Sequence, residues 1–398
     1  MRRKLTFQWA ASTFFGWGVY GLNLALHSAA RGVDATAAVP VLPERLVVDP
    51  LRRAALAGFM ARSNGLSDQL KDFAGRAVDA HGLVLHALGN DLSFAALGAH
   101  DSCLSGRPSV GVVFSEDTGF SDDARRRAAP YPLLVAGSHW NAEMLAAAGF
   151  GPCAVVLQGV DTTLFHPAPR AGMLAGRFVV FSGGKLEYRK GQDLVLRAFR
   201  LFQARHPEAL LITAWHSPWG HRVAGGMAAC PGVAPLHAAA DGSVDVRRWA
   251  ADNGLPAHAF VDLGAVPNAQ MPPILREADV AVFPSRCEGG TNLVAMEAMA
   301  CGVPCVLSDN TGHRDLIADG NCLPLRRQGP VPAVAPLRGT EGWGESDPEE
   351  IVDALERVHA DRQAAAAIGA RGAETLARLS WQGQIAALIE RLGPFFPG

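Results

Sequence analysis

One stretch constrains the fold of this chain more than any other. It runs from Pro284 to Pro304 and reads Pro-Ser-Arg-Cys-Glu-Gly-Gly-Thr-Asn-Leu-Val-Ala-Met-Glu-Ala-Met-Ala-Cys-Gly-Val-Pro. Ahead of it lies Asp279-Val-Ala-Val-Phe283, a short apolar run ended by Pro284, which is the pattern of a buried strand. Gly289 and Gly290 permit a sharp turn and a close backbone approach to a ligand. Thr291 suits a helix N-cap, and Leu293, Met296, Glu297 and Ala300 follow at helical spacing. Gly302 and Pro304 stop that helix. The free N–H groups at a helix start attract phosphate. Glu297 lies about 9 Å farther on, at ~1.5 Å per residue. That is the reach from a diphosphate to the ribose of one nucleotide, whose diol a carboxylate can accept. The expectation is a nucleotide-diphosphate pocket built from Gly290, Thr291, Asn292 and Glu297.

The same residues resemble the signature of retaining glycosyltransferases of family 4, a glutamate followed after seven residues by a second one and then a small-residue helix ending in Gly-x-Pro. Glu297-Ala-Met-Ala-Cys-Gly-Val-Pro304 matches the second half. The first half departs, because eight residues separate Glu288 from Glu297. A turn one residue longer, with Glu288 still facing the donor, reconciles the two. The resemblance implies the two-domain GT-B fold, with Glu288 on the donor sugar and Glu297 on the ribose.

Other segments extend the likeness. Phe178-Val-Val-Phe-Ser-Gly-Gly-Lys-Leu-Glu-Tyr-Arg-Lys-Gly191 reads as a strand, a glycine turn and a basic loop before a helix at Asp193–Ala204. It is similar to the family's Gly-Arg-Leu…Lys-Gly segment, with Lys185 in place of the arginine and Lys190 matching the lysine. Two such cations would neutralise a diphosphate leaving group. Gln158-Gly-Val-Asp-Thr-Thr-Leu-Phe-His-Pro167 resembles the segment that closes the first domain, and Pro169, Gly172 and Gly176 give a linker composition. Leu307–Ile317 resembles the loop after the next strand, and Ser380-Trp381 the opening of the last helix.

A length of 398 residues suits two domains, and 49% hydrophobic content suffices for two cores. The net charge of -2 gives no reason to expect nucleic acid as a partner. Arg125-Arg-Arg127 is a basic cluster that is either solvated or aimed at an acidic acceptor or anionic lipid surface. Seven cysteines without paired metal spacing favour a reducing compartment. The sequence holds no Asp-x-Asp, so cations and a helix dipole, not a metal, are expected to hold the diphosphate.

At the N-terminus, a secretory leader competes with a first strand at Leu5–Ala11, a glycine turn and a helix at Leu22–Ala30. The apolar stretch is broken by Gln8, Gly16, Gly18, Gly21 and Asn23, and falls short of a membrane span. Gly16-Trp-Gly-Val-Tyr-Gly21 also satisfies the dinucleotide Gly-x-Gly-x-x-Gly pattern, with Asp34 as the ribose acid. That supports a rival, an NAD-dependent oxidoreductase. Asp34 precedes the apolar run Ala35–Leu42, however, where the fingerprint acid should follow it. Gly16 and Gly18 are therefore read as a substrate-facing loop.

Gly82-Leu-Val-Leu-His-Ala-Leu-Gly-Asn-Asp91 reads as a strand and a polar turn, making His86 a candidate catalytic residue and Asn90 and Asp91 candidate substrate contacts. A histidine at a strand end can equally be a satisfied structural residue. Glu116 and Asp117 tip a similar strand, and residues 330–345 read as a surface insertion. The expected organisation is α/β: an acceptor-binding Rossmann-like domain over 1–168, a nucleotide-sugar domain over 169–375, and a helix over 376–398 returning toward the first. The two doubly wound domains would face a central cleft. The resemblance implies transfer of a sugar from a nucleotide sugar to a carbohydrate, lipid-linked or small-molecule acceptor, with retention of configuration. It needs no cofactor or metal, and suits polysaccharide biosynthesis in the cytoplasm or peripherally at the inner membrane face. Lys185, Lys190, Glu288 and His86 are the catalytic candidates. A GT-B-like binding protein without turnover is the non-enzymatic alternative.

Overall fold

The computed structural model describes residues 2–95, 103–217, 220–228 and 230–397. Two compact units divide the chain. The first comprises Met1–Asp161, Pro267–Ala269 and Leu379–Gly398, and the second Thr162–Val266 and Gln270–Arg378. The chain thus leaves the first unit at Asp161, some residues earlier than the proline-rich linker suggests. Arg52 holds Asp161 in the first unit at 2.7 Å, while Arg276 draws in the carbonyls of Leu164 and His166 at 2.9 and 3.0 Å within the second.

The first unit is built on strands β1 (Arg3–Phe7), β2 (Val33–Ala37), β3 (Leu83–Leu88), β4 (Ser109–Val113), β5 (Leu134–Ala136) and β6 (Cys153–Val155), ordered β2-β1-β3-β4-β5-β6. All pairings are parallel, with Leu5 opposite both Ala35 and Leu83. The first strand ends sooner than its apolar pattern suggests, and the expected glycine turn is instead the start of helix α1 (Gly16–Ser28). A Cβ on Gly18 would come 2.0 Å from the Ser12 hydroxyl, and one on Gly21 2.7 Å from the Ala10 carbonyl. These glycines let α1 lie against the loop before it. Asp34 sits second in β2 and pairs with Arg2 at 3.1 Å, away from the strand's carboxyl end. The unit also contains helices α2 (Pro50–Leu70) and α3 (Asp122–Ala128). The last helix, Trp381–Arg391, is capped by Ser380 and stacks Trp381 on Tyr20 at 5.4 Å.

The second unit repeats the plan with β7 (Phe178–Lys185), β8 (Ala209–His216), β9 (Phe260–Asp262), β10 (Val280–Phe283), β11 (Cys305–Ser308) and β12 (Leu323–Leu325), ordered β9-β8-β7-β10-β11-β12. Apolar runs such as Phe178–Phe181 and Val280–Phe283 are buried throughout, as strands covered on both faces must be. Successive strands step outward from β7 in one direction and from β10 in the other. The order reverses between them, where ligands bind in open α/β sheets. Helices α4 (Gln192–Gln203), α5 (Leu293–Ala300) and α6 (Pro348–Ala360) belong to this unit. The expected surface insertion at 330–345 is rooted rather than loose. Gln328–Gly329 pairs antiparallel with Glu345–Ser346, and Trp343 is buried.

Two helical glycines separate packing from propensity. Gly21→Ala is expected to cost about 1–3 kcal/mol, because the nearest obstacle is a backbone carbonyl that cannot swing away. Gly65→Ala in α2, with nothing within 4 Å of the new methyl, is expected to gain about 0.5–1 kcal/mol. Urea unfolding of both variants checks this, and equal effects would refute the packing role of Gly21.

Candidate functional site

The loops that follow β7 and β10 meet at the reversal of the second sheet. Gly191 makes that possible: its φ is 68°, and a Cβ there would lie 2.2 Å from the Pro284 carbonyl. Arg286 N–H also donates to the Arg189 carbonyl at 2.7 Å. Lys185, Lys190 and Glu288, far apart in sequence, thereby come together.

They do so as one chain of ion pairs. Lys185 contacts Glu187 at 2.8 Å, and Glu187 contacts Arg189 at 2.8 Å. Arg189 contacts Glu288 at 3.0 Å, and Glu288 contacts Lys190 at 2.7 Å. Three cations alternate with two carboxylates, leaving one net positive charge. Burial would raise the Glu288 carboxyl, but Lys190 and Arg189 outweigh it and hold the group down at about 2. Burial pulls the Lys190 ammonium below its ordinary value, with Glu288 opposing. Ser285 also donates to Glu288 at 2.6 Å.

The Glu288 backbone is fixed from a third loop. Its N–H donates to Thr311 Oγ1 at 2.9 Å, and its carbonyl accepts from Gly312 at 3.0 Å. A Cβ on Gly312 would lie 1.8 Å from the Gly290 carbonyl, so this approach requires glycine. Beside it, His313 is fully buried. Its Nε2 lies 3.1 Å from the Asn292 amide and its Nδ1 2.9 Å from Ser308 Oγ, which donates to the Ser285 carbonyl at 2.6 Å. An amide nitrogen only donates, so Nε2 accepts and Nδ1 carries the proton. Burial lowers this imidazole to about 4 despite the nearby Glu288, keeping it neutral.

Asn292, not Thr291, is the N-cap of α5. Its φ is 62°, a conformation asparagine tolerates, and its side chain accepts from Ala295 N–H. Thr291 is instead buried against Met296, its hydroxyl 3.0 Å from the sulfur. Glu297 lies on α5 and is buried, at 4% exposure.

Three residues that the motif reading left without roles prove central: Arg189, His313 and Arg286. Arg286 has no solvent exposure. It forms two contacts with Asp193, at 2.9 and 2.7 Å, one with Glu345 at 2.7 Å and one with the Tyr188 carbonyl at 2.7 Å. A fixed positive charge between apolar strands and a glycine turn was the available signal.

The candidates in the first unit are otherwise engaged. His86 is buried in β3, with Nδ1 2.6 Å from the Tyr131 hydroxyl and Nε2 2.6 Å from the Leu104 carbonyl. Both ring nitrogens are thus occupied within the unit, the arrangement of a satisfied structural histidine. Asn90 Oδ1 accepts from the N–H groups of Glu116 and Asp117 at 2.8 and 3.0 Å, tying two loops together. Asp91 accepts from Ser121, which caps α3, and from Arg127 at 2.7 Å. Both serve as loop clamps. Gly18 is a packing glycine, and Gly16, at the exposed start of α1, remains as a surface position. The basic cluster is likewise partnered: Arg125 reaches the Ala148 carbonyl, Arg126 pairs with Asp123 and Arg127 with Asp91.

The depressed Glu288 carboxyl makes a pH prediction. Its contribution to stability is fully present above the ordinary carboxylate range near 4.5 and is lost as pH falls toward 2. Glu288→Gln should therefore be less stable than the parent at neutral pH, with the gap closing between about pH 4.5 and 2. Urea unfolding across that range tests it. A gap independent of pH would mean the carboxylate charge is not what Lys190 and Arg189 hold.

Residues 170–375 match the family model of glycosyl transferases group 1. Among curated proteins, the chain is 31% identical over 263 residues to a GDP-mannose-dependent alpha-(1-6)-phosphatidylinositol monomannoside mannosyltransferase of Mycolicibacterium smegmatis, covering 62% of this chain and 58% of that protein. It is 30% identical over 172 residues to a D-inositol 3-phosphate glycosyltransferase of Acidothermus cellulolyticus, covering 42% of this chain and 35% of that one. The matches thus span little more than half of these relatives at most. Among solved structures, HepE of Anabaena in complex with UDP and glucose aligns with a TM-score of 0.65 at 16% identity, over 99% of this chain and 100% of that one. Sucrose-phosphate synthase of Thermosynechococcus elongatus gives 0.63 at 17% identity over 99% of both. With the two parallel sheets, these likenesses establish an α/β fold of GT-B type, and the chain belongs to the glycosyl transferases group 1.

Proposed function

We propose that this chain transfers a sugar from a nucleoside-diphosphate sugar to an acceptor hydroxyl, with retention of configuration and without a metal. The observation that carries this is the chain of ion pairs at the reversal of the second sheet, with its one net positive charge beside the start of α5. A diphosphate there would meet Lys185, Arg189 and Lys190 together with the α5 N-terminus, and gain stabilisation as the sugar–oxygen bond breaks. Glu297, farther along α5, suits the ribose diol. Glu288 would orient the donor sugar, as the family resemblance implies, while its carboxylate fixes Lys190 and Arg189. Retention rests on the family resemblance.

The relatives' names widen the choice of donor and acceptor. One is GDP-mannose-dependent and acts on a phosphatidylinositol mannoside, whereas HepE is described with UDP and glucose. A polar acceptor carrying inositol or a lipid anchor, reached from the cytoplasmic side of a membrane, is the proposal that fits these relatives. Among the described residues no helix is long and apolar enough to cross a membrane.

The decisive experiment is a donor panel of GDP-, UDP- and ADP-sugars assayed in EDTA for hydrolysis or transfer. Turnover of at least one donor should persist after chelation. A rate that vanishes in EDTA and returns with Mg²⁺ or Mn²⁺ would overturn the cation-based mechanism. Independently, Glu297→Ala should weaken nucleoside diphosphate binding by about 1.5–3 kcal/mol, the loss of a charged hydrogen bond. Calorimetric titration with unchanged affinity would exclude the ribose role.

A further inference from the structure

At the other end of the second sheet lies a cluster that nucleotide binding does not use. His206 and Glu208 sit in the turn between α4 and β8, and His359 on the last turn of α6. One ligand atom from each lies within 4.8 Å of the others. Phe178, first in β7, packs against His359 at 5.1 Å. Eight-residue β7 therefore separates this cluster from Lys185 by roughly 20 Å or more, at ~3.3 Å per residue.

We propose that His206, Glu208 and His359 form a binding site for a divalent transition-metal ion of the Zn²⁺ class. Glu208 Oε1 is 3.0 Å from His359 Nε2 and 3.8 Å from His206 Nδ1. These distances bracket the edge of about 3.3 Å that a tetrahedron with metal–ligand bonds of ~2.0–2.1 Å requires. Two imidazoles and one carboxylate are borderline ligands that suit this class of ion.

The surroundings fit as well. His206 Nε2 lies 2.9 Å from Glu356 Oε2, and the other Glu356 oxygen accepts from Arg205 at 3.2 Å. A metal-binding histidine characteristically donates its second ring N–H to a carboxylate, which fixes the ring and its tautomer. His206 Nδ1 faces Glu208 Oε1 at 3.8 Å, beyond hydrogen-bond distance, and an ion bound here would replace the hydrogen bond that His359 Nε2 makes to the same oxygen at 3.0 Å. The rings are 4.0 Å apart and rest on Phe202 and Phe178, both fully buried, so the cluster has a rigid apolar floor. Glu208 is 41% exposed, leaving room for water as a fourth ligand. The ion would clamp the α4–β8 turn to the end of α6.

The test is calorimetric titration of Zn²⁺ into the full chain after chelation and desalting, with thermal unfolding alongside. One equivalent should bind and raise the unfolding midpoint. His206→Ala and His359→Ala should each weaken binding by more than about 100-fold, and Glu356→Gln by about 10–100-fold. The exposed His237→Ala serves as a control and should change nothing. If an alanine variant fails to fold, His359→Gln replaces it. Co²⁺ in place of Zn²⁺ should give visible d–d bands without thiolate charge transfer. Equal binding by the histidine variants, a thiolate band, or no binding to the parent would each overturn the proposal.

Discussion

The geometry of the second unit depends on a guanidinium without solvent contact. Arg286 joins the loop after β10 to Asp193 in the first turn of α4, to the Tyr188 carbonyl and to Glu345 at the root of the 330–345 insertion. Burial opposes its charge, and the partners overcome that cost, raising its pKa further. Such a pair contributes little net stability compared with a well-packed apolar substitute, while loss of one partner costs about 3–5 kcal/mol. What it supplies is position. With both loops tied to one planar cation, Arg189 and Lys190 on one side and Glu288 on the other meet at 2.7–3.0 Å.

Much of this unit was legible in the sequence because its signals are local. A buried strand, a glycine turn and a small-residue helix closed by Gly302 and Pro304 lie within one continuous segment, and the structure differs only at the cap. Thr291 and Asn292 are both capping residues, and sequence cannot rank them. The choice falls to the one that tolerates a φ of 62° and finds His313 across the turn. The roles of Arg189, Arg286 and His313 were not legible for a different reason. Their partners lie 99, 93 and 21 positions away in the chain, and no periodicity reports such pairings.

In the first unit the local signal is ambiguous. His86, Asn90 and Asp91 stand at or near the carboxyl end of a strand, where polar residues serve either ligands or loops. Sequence offers the same pattern for both. Here the backbone N–H groups of residues 116, 117 and 121 needed acceptors, and Asn90 and Asp91 supply them. The glycine pattern has a packing explanation as well. A helix that lies against its own preceding loop needs glycine at the contact, which accounts for Gly18 and Gly21, while Gly16 is exposed at the helix start.

Glu288, the first carboxylate of the longer spacing, is held by ion pairs. Like charges about 4 Å apart repel by about 4 kcal/mol at an effective dielectric constant near 20. The three cations within residues 185–190 are accordingly separated by carboxylates. Glu187 separates Lys185 from Arg189, and Glu288 separates Arg189 from Lys190. Glu288 can serve in this way only if its side chain points toward the β7 loop while its backbone stays on the 311–312 loop. Both of its backbone hydrogen bonds go there. The turn then enters the helix through the left-handed Asn292. The cations are thus fixed by carboxylates of the unit itself, the preorganisation that the proposed transfer of a nucleotide-linked sugar would require.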